Sequence, residues 1–141
     1  MAEVAKTRTL SRERPLVLIV EDQSDLRHLY AEALALSGFD VIEAANGLDA
    51  IQHATVHGPD VVLMDLSMPV VDGWEATRRL KADTRTAHIP VVALTAHDES
   101  GALQRATLAG CDWFVPKPCA PQALVEEVGR ILGRPIPVTH N

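Results

Sequence analysis

The chain reads VVLMD at residues 61–65, four apolar residues followed by an acid that begins a loop containing Pro69. A continuously apolar run of this length is typical of a strand that is covered on both faces of a parallel sheet. A second such run, at residues 16–20, leads directly into Glu21 and Asp22. Because parallel strands end at the same edge of a sheet, where ligands bind in α/β proteins, we expect Asp65 to lie near these two acids.

Strand-like and helix-like segments alternate along the chain. The strands are predicted at residues 16–21, 40–44, 60–65, 90–94 and 112–116. The segments between them carry apolar residues at the helical period of about 3.6. The face of the first helix that is predicted to be buried consists of Leu26, Leu29, Ala33 and Leu36. This alternation predicts an α/β fold, a doubly wound five-stranded parallel sheet with helices on both faces.

The composition limits the classes of protein to consider. The chain has 141 residues, of which 47% are hydrophobic and 23% charged, and this fits one globular domain. We expect a flexible segment at residues 1–14, the domain at residues 15–133 and a flexible tail at residues 134–141. The net charge of −6 argues against direct nucleic-acid binding, and no apolar run reaches the roughly 20 residues of a membrane span. A cytoplasmic location is therefore expected.

Crowded carboxylates at one sheet edge predict a bound divalent cation. Two unit charges about 5 Å apart repel by roughly 3 kcal/mol at an effective dielectric constant of about 20, and a cation removes this penalty. A set of oxygen ligands without a nearby Cys or His favours Mg²⁺. Glu21, Asp22 and Asp65 are therefore predicted to bind magnesium, although any one of these acids alone would be interpreted as a solvated strand end.

A hydroxyl and an ammonium are predicted at the same edge. The fourth strand runs into Thr95 and the fifth runs into Lys117. An ammonium can bind an anion attached to Asp65, and a hydroxyl can donate a hydrogen bond to the same anion. This combination predicts phosphoryl transfer, a reaction in which positioning and charge neutralisation supply most of the catalysis.

The ordered set of motifs resembles the receiver domain of two-component response regulators, in particular the stand-alone type found among chemotaxis regulators. The resemblance covers residues 15–133 and rests on Glu21-Asp22, Asp65, Met68-Pro69, Asp72-Gly73, Thr95-Ala96 and Lys117-Pro118. It implies a flavodoxin-like sheet with the strand order 2-1-3-4-5. It also implies a cis peptide bond between Lys117 and Pro118, since X–Pro bonds are those that tolerate this isomer.

The resemblance also implies a role for each residue of the predicted site. Asp65 would accept a phosphoryl group from a sensor histidine kinase or a phosphotransfer protein, and Thr95 and Lys117 would bind the phosphoryl oxygens. Mg²⁺ would be bound by the carboxylates of Asp22 and Asp65 and by the backbone carbonyl of Ser67, and Glu21 would assist through water. The chain would then be a switch that catalyses only its own phosphorylation and dephosphorylation, and not an enzyme.

The implied switch involves Thr95 and Phe114. Thr95 would move toward the phosphoryl group, and the ring of Phe114 would follow into the vacated space. The face formed by the fourth predicted helix, the fifth strand and the fifth predicted helix would then change and bind a downstream protein. The apolar positions of these two helices are Leu103, Ala106 and Ala109 in the fourth and Leu124, Val128 and Ile131 in the fifth. The chain would act as a monomer or as a phosphorylation-dependent dimer. Ser67 and His97 flank the site in the sequence and would tune the rate of dephosphorylation.

Two functions of other classes are compatible with parts of the sequence. A Mg²⁺-dependent phosphatase also uses an aspartyl nucleophile at a strand end, but such enzymes commonly need a second acid two residues later, where this chain has Ser67. A phosphorylation-independent interaction module is disfavoured because every residue needed for phosphorylation is present. A stand-alone receiver domain is expected, and a receiver that forms part of a larger hybrid kinase is also compatible with the sequence.

Overall fold

Alternating strands and helices build the protein. The computed structural model describes residues 14–66, 68, 72–96 and 109–133. The strands are β1 (Leu16–Val20), β2 (Asp40–Ala44), β3 (Val61–Asp65), β4 (Val91–Ala96) and β5 (Trp113–Lys117). The helices within the described residues are α1 (Ser24–Leu36), α2 (Gly47–His57), α3 (Gly73–Ala82) and α4 (Pro121–Ile131). The strands form one parallel sheet in the order β2-β1-β3-β4-β5, which confirms the predicted fold class and strand order.

Three of the predicted segments lie wholly or largely outside the described residues. They are the N-terminal segment before Arg14, most of the fourth predicted helix, and the tail after Gly133. Helix α4 is consequently the fifth helix of the sequence prediction. Among the described helices, none combines the length and the apolar character needed to cross a lipid bilayer.

The sheet separates two hydrophobic cores, because successive side chains of a strand point to opposite faces. On one face, Leu18 and Val62 pack in the same core as α2 and α3. On the other face, Ile19 and Leu63 pack in the same core as α1 and α4. The two cores hold the central strands rigidly, and β2 and β5 form the two edges of the sheet.

The buried face of α1 differs from the predicted one. Leu29 is 48% exposed and Leu36 is 82% exposed, whereas Tyr30, Ala31 and Leu34 are buried. Leu26 and Ala33 of the predicted face do pack against the core, so the prediction was wrong only for Leu29 and Leu36. Apolar residues occur on most sides of this helix, so that two overlapping faces satisfy the helical period. The packing of α1 against β1, β2 and α4 selects the face that carries Tyr30.

The last two strands extend to the polar residues that follow their apolar runs. In the parallel register of β4 and β5, Thr95 is opposite Pro116 and Ala96 is opposite Lys117. Since β5 is an edge strand, it tolerates the missing N–H of Pro116. In the register of β3 and β4, Asp65 is opposite Leu94. The carboxyl ends of β3, β4 and β5 therefore lie along one edge of the sheet.

Candidate functional site

Three carboxylates converge at the carboxyl edge of the sheet. Asp65 is the last residue of β3, and Glu21 and Asp22 follow β1 directly. One carboxylate oxygen of each residue lies within 4.8 Å of those of the other two. Glu21 and Asp65 are buried, whereas Asp22 is exposed. The structure thus brings the three acids together in a cluster that is open to solvent on one side.

Lys117 reaches the same cluster from the end of β5. Its Nζ donates a hydrogen bond of 3.2 Å to Oε1 of Glu21 and lies 3.6 Å from Oδ1 of Asp65. Burial disfavours the ammonium, but the negative charges of Asp65 and Glu21 outweigh this effect and raise the pKa of Lys117. Lys117 is therefore positively charged at neutral pH, at a distance from Asp65 at which it can neutralise an added anion.

The protonation of Glu21 is affected by its surroundings. Its pKa is raised to about 7, chiefly because the side chain is buried. The charge of Asp65 and a hydrogen bond with that residue raise the pKa of Glu21 further, whereas Lys117 lowers it. Crowded like charges favour the neutral form of one member in this way. Within the part of the chain that the structure describes, three carboxyl groups thus face the ammonium of Lys117, which leaves an excess of negative charge.

This uncompensated charge is the observation that fits a divalent cation. The available ligands are carboxylate oxygens, which Mg²⁺ prefers, and Mg²⁺ commonly uses one or two carboxylates together with water. Asp22 is exposed and lies on the solvent side of the cluster, where water can complete the coordination. The backbone carbonyl of Ser67, also predicted as a ligand, lies outside the described residues.

Without a divalent cation, the thermal stability that depends on Glu21 should fall as the pH rises. The pKa of this group is about 7 in the folded protein, against an ordinary value of 4.5. Between these values the folded state binds more protons than the unfolded state, so the free energy of unfolding decreases with increasing pH. Addition of Mg²⁺ should therefore raise Tm more at pH 8 than at pH 6, because fewer protons compete with the cation.

Thermal melts in EDTA and in Mg²⁺, from about pH 4.5 to about pH 8, measure the loss of stability with pH and the stabilisation by the cation. Glu21→Gln is the matched control, since glutamine cannot titrate and should remove part of the pH dependence seen in EDTA. An identical pH dependence in the parent and in Glu21→Gln would show that another group is responsible.

The remaining predicted site residues lie on or near the last two strands. Thr95 is buried at the end of β4, the strand between those that carry Asp65 and Lys117. Phe114 lies on β5, three residues before Lys117, and is 36% exposed. His97 lies outside the described part of the chain.

Two features of the site concern the backbone around these side chains. The peptide bond between Lys117 and Pro118 is cis, as the resemblance implied. Gly73, the first residue of α3, packs directly against the end of β3, and a Cβ at this position would lie 2.2 Å from the carbonyl oxygen of Asp65. The sequence assigned no role to Gly73. The sequence signal for the start of α3 was Asp72, an N-cap residue type directly before Gly73. Its carboxylate accepts a 2.9 Å hydrogen bond from the amide of Glu75 and caps the helix.

Helix α1 also contacts the backbone of the site. Nη1 of Arg27 donates a 2.9 Å hydrogen bond to the carbonyl of Glu21, and the hydroxyl of Tyr30 donates one of 2.9 Å to the carbonyl of Cys119. The two side chains are three residues apart and share one face of the helix. Neither residue could be identified from the sequence, because such contacts to a distant backbone leave no local pattern.

Residues 17–129 match the family model described as the response regulator receiver domain. The polar-differentiation response regulator DivK of Brucella anthropi is 38% identical over 117 residues, which cover 83% of this chain and 95% of that protein. DivK of Brucella ovis is 37% identical with the same coverage.

Solved structures of related domains have the same fold. One of them is the receiver domain of a sensor histidine kinase from Pseudomonas aeruginosa, whose structure has a magnesium ion coordinated in the active site cleft. It is 30% identical with a TM-score of 0.78, and the match covers 85% of this chain and 98% of that one. The chemotaxis protein CheY4 of Vibrio cholerae is 26% identical with a TM-score of 0.78, and the match covers 84% and 98% of the two chains. The similarity extends over nearly the full length of both solved structures.

Proposed function

The chain belongs to the family of response regulator receiver domains, and from this premise we propose that it is a switch controlled by phosphorylation of Asp65. Domains of this family are signalling switches and not enzymes with an external substrate. The observation that carries the proposal is the place of Asp65, which is buried at a strand end. It lies 3.6 Å from the ammonium of Lys117 and has carboxylate oxygens of two further acids within 4.8 Å.

The proposed reaction transfers a phosphoryl group from a phosphohistidine to Asp65. An oxygen of the Asp65 carboxylate attacks phosphorus, a P–O bond forms, the P–N bond breaks, and the imidazole nitrogen keeps the electron pair of that bond. Lys117 pairs with a phosphoryl oxygen, and the hydroxyl of Thr95 donates a hydrogen bond to another. The charge on these oxygens is what a phosphoryl-transfer site must stabilise.

Mg²⁺ would be held by Glu21, Asp22 and Asp65 together with the carbonyl of Ser67, and when bound it neutralises charge on the phosphoryl oxygens. These acids lie at the ends of β1 and β3, and the two strands hold the carboxylates in place for this ion. The ammonium of Lys117, 3.6 Å from Oδ1 of Asp65, supplies a second positive charge. The relative from Pseudomonas aeruginosa, with its coordinated magnesium ion, supports this assignment.

The proposed output follows from the added charge, which is roughly −1.5 to −2 for a phosphoryl group. Thr95 moves toward this charge and the ring of Phe114 follows. The face around β5 and α4 then binds a downstream protein, with the chain as a monomer or a dimer. A change from 1:99 to 99:1 between the two states requires about 5.5 kcal/mol. A histidine kinase or phosphotransfer protein in the cytoplasm is the proposed donor.

The experiment that tests the proposal is incubation with a small phosphodonor such as acetyl phosphate, with Mg²⁺ or with EDTA. We expect the uptake of one phosphoryl group per chain, and this uptake should depend on Mg²⁺. Mass spectrometry should map the group to Asp65. Labelling of another residue would refute the proposal. Continuous release of phosphate from a generic phosphomonoester, with many turnovers, would favour the phosphatase alternative.

His97→Ala should change the lifetime of the phosphorylated protein by roughly severalfold, because a side chain two residues after Thr95 is proposed to control how water approaches the acyl phosphate. The decay of the phosphorylated protein, followed by intact mass after removal of the donor, measures this lifetime. His88→Ala is the matched control, since His88 is exposed in the loop before β4, at the opposite edge of the sheet. Equal lifetimes for the parent and His97→Ala would reject this role.

A further inference from the structure

We propose that Tyr30 is a positioning residue for Lys117. The hydroxyl of Tyr30 holds the backbone that follows Lys117 and thereby sets the place of the ammonium beside Asp65. The consequence for phosphorylation rests on the proposed function of Asp65, whereas the position of Lys117 can be measured without it.

The hydrogen bond that carries the inference joins two distant parts of the chain. Tyr30 is 2% exposed, and its hydroxyl donates a 2.9 Å hydrogen bond to the carbonyl of Cys119, 89 residues away in the sequence. Cys119 follows Lys117 by two residues, across the cis bond to Pro118. A backbone atom close to Lys117 is therefore fixed to α1, a helix packed in the core.

The end of β5 needs such a tether because it is held from one side. β5 is an edge strand with β4 as its neighbour in the sheet, and Pro116, near its end, has no N–H to donate to a ladder. The side chain of Lys117 reaches Glu21 and Asp65 from the backbone at the end of β5, so a shift of this backbone moves the ammonium relative to both acids. An additional anchor just after the strand restricts where Nζ can lie.

The hydroxyl of Tyr30 is a permanent donor at neutral pH. Burial raises the pKa of Tyr30 above its ordinary value of 10.0, and the charges of Lys117 and Glu21 act on it in opposite directions. The hydroxyl therefore keeps its proton and lies within electrostatic range of the site, although it contacts none of the reacting atoms.

A second bond from the same helix face fixes the backbone of Glu21. Arg27 donates to the carbonyl of Glu21 at 2.9 Å and also pairs with Glu43 of β2 at 3.0 Å. One rigid helix thus contacts the backbone of Glu21 and the backbone next to Lys117. Since the ammonium of Lys117 lies 3.2 Å from Glu21, the helix spans both partners of this ion pair.

Tyr30→Phe tests the inference because it removes a single oxygen and keeps the buried ring. The matched control is Thr86→Val. The hydroxyl of Thr86 is also buried and donates a 2.7 Å hydrogen bond to the carbonyl of Leu80, but it lies before β4, at the opposite edge of the sheet. Each variant deletes one buried hydroxyl that donates to a backbone carbonyl.

Four quantities are measured for the parent and for both variants: Tm, the Kd for Mg²⁺, the rate of phosphorylation by acetyl phosphate at saturating Mg²⁺, and the ¹⁵Nζ and ¹³Cε resonances of Lys117 in the unphosphorylated protein. Both variants should lower Tm by a few degrees. Tyr30→Phe alone should slow phosphorylation by roughly threefold to tenfold, since small misplacements of a catalytic group have effects of this order. It should also shift the Lys117 resonances. The saturating concentration of Mg²⁺ keeps any change in the Kd for Mg²⁺ from affecting the measured rate.

A Tyr30→Phe protein with the parent's phosphorylation rate and the parent's Lys117 resonances would overturn the inference. If Thr86→Val slowed phosphorylation as much as Tyr30→Phe does, the cause would be a general loss of stability, and this result would also overturn the inference. If the parent takes up no phosphoryl group but the Lys117 resonances shift in Tyr30→Phe, the proposed function fails and the positioning role stands.

Discussion

Replacement of Asp65 with Asn should abolish phosphorylation under conditions in which the parent takes up one group per chain. Asparagine keeps the shape of the side chain but lacks the anionic oxygen that attacks phosphorus. No neighbouring acid in the described cluster has the same place, since Glu21 is hydrogen-bonded to Lys117 and Asp22 is exposed. Intact mass after incubation with acetyl phosphate and Mg²⁺ measures the uptake.

The same substitution should leave the protein folded, because it removes one of the crowded charges. Asp65 is a cause of the raised pKa of Glu21, so this pKa should fall toward its ordinary value in Asp65→Asn. The loss of phosphorylation can then be assigned to the missing nucleophile and not to unfolding. Thermal melts of the parent and the variant in EDTA check this point.

Asp25→Asn is the matched control for Asp65→Asn. Asp25 is an exposed acid in the first turn of α1 and does not belong to the carboxylate cluster. Its replacement should leave the uptake of phosphoryl groups at the level of the parent. Uptake by Asp65→Asn at the level of the parent would identify a different acceptor and contradict the proposal.

Replacement of Gly73 with Ala should destabilise the protein by about 3 kcal/mol. In a helix, an exchange of Gly for Ala ordinarily stabilises by up to about 1 kcal/mol, so the expected sign is reversed. The reason is that the added Cβ would lie 2.2 Å from the carbonyl oxygen of Asp65 and 2.6 Å from the Cα of Leu66. Both are backbone atoms, which cannot move aside as a flexible side chain can.

Relief of this clash must displace either the start of α3 or the end of β3. Asp65 should then be moved relative to Lys117, so the remaining folded protein should also be phosphorylated more slowly. Urea denaturation measures the stability, and labelling at low temperature measures the rate. Ser24→Ala, at the exposed start of α1, is the control and should change stability by no more than about 0.5 kcal/mol. Unchanged or increased stability of Gly73→Ala would contradict the predicted clash.

The sheet and the main residues at its edge could be predicted from the sequence because their signals are local. The run at residues 61–65 identifies a strand covered on both faces and also its terminal acid, which the structure places at the end of β3. In a parallel sheet the ends of such strands share one edge, so the convergence of Asp65 with Glu21, Asp22 and Lys117 follows from the topology.

The orientation of α1 could not be predicted in the same way. Its predicted face included Leu29 and Leu36, yet both are exposed and Tyr30 is buried instead. Apolar residues on several sides of one helix leave its rotation undetermined, and the free energy of packing against β1 and α4 decides between the alternatives. This rotation places the Tyr30 hydroxyl at the carbonyl of Cys119.

Local pattern was thus enough to specify the strands and the acids, hydroxyl and ammonium at their ends. The strand order followed from the resemblance to a known family. The contacts that hold these groups in place arise from folding: the hydrogen bond between Tyr30 and Cys119, and the close approach of Gly73 to the backbone of Asp65. Both depend on how whole helices pack against the sheet. Periodicity and residue type describe neighbours along the chain, whereas these contacts join surfaces that meet only when the two cores are filled.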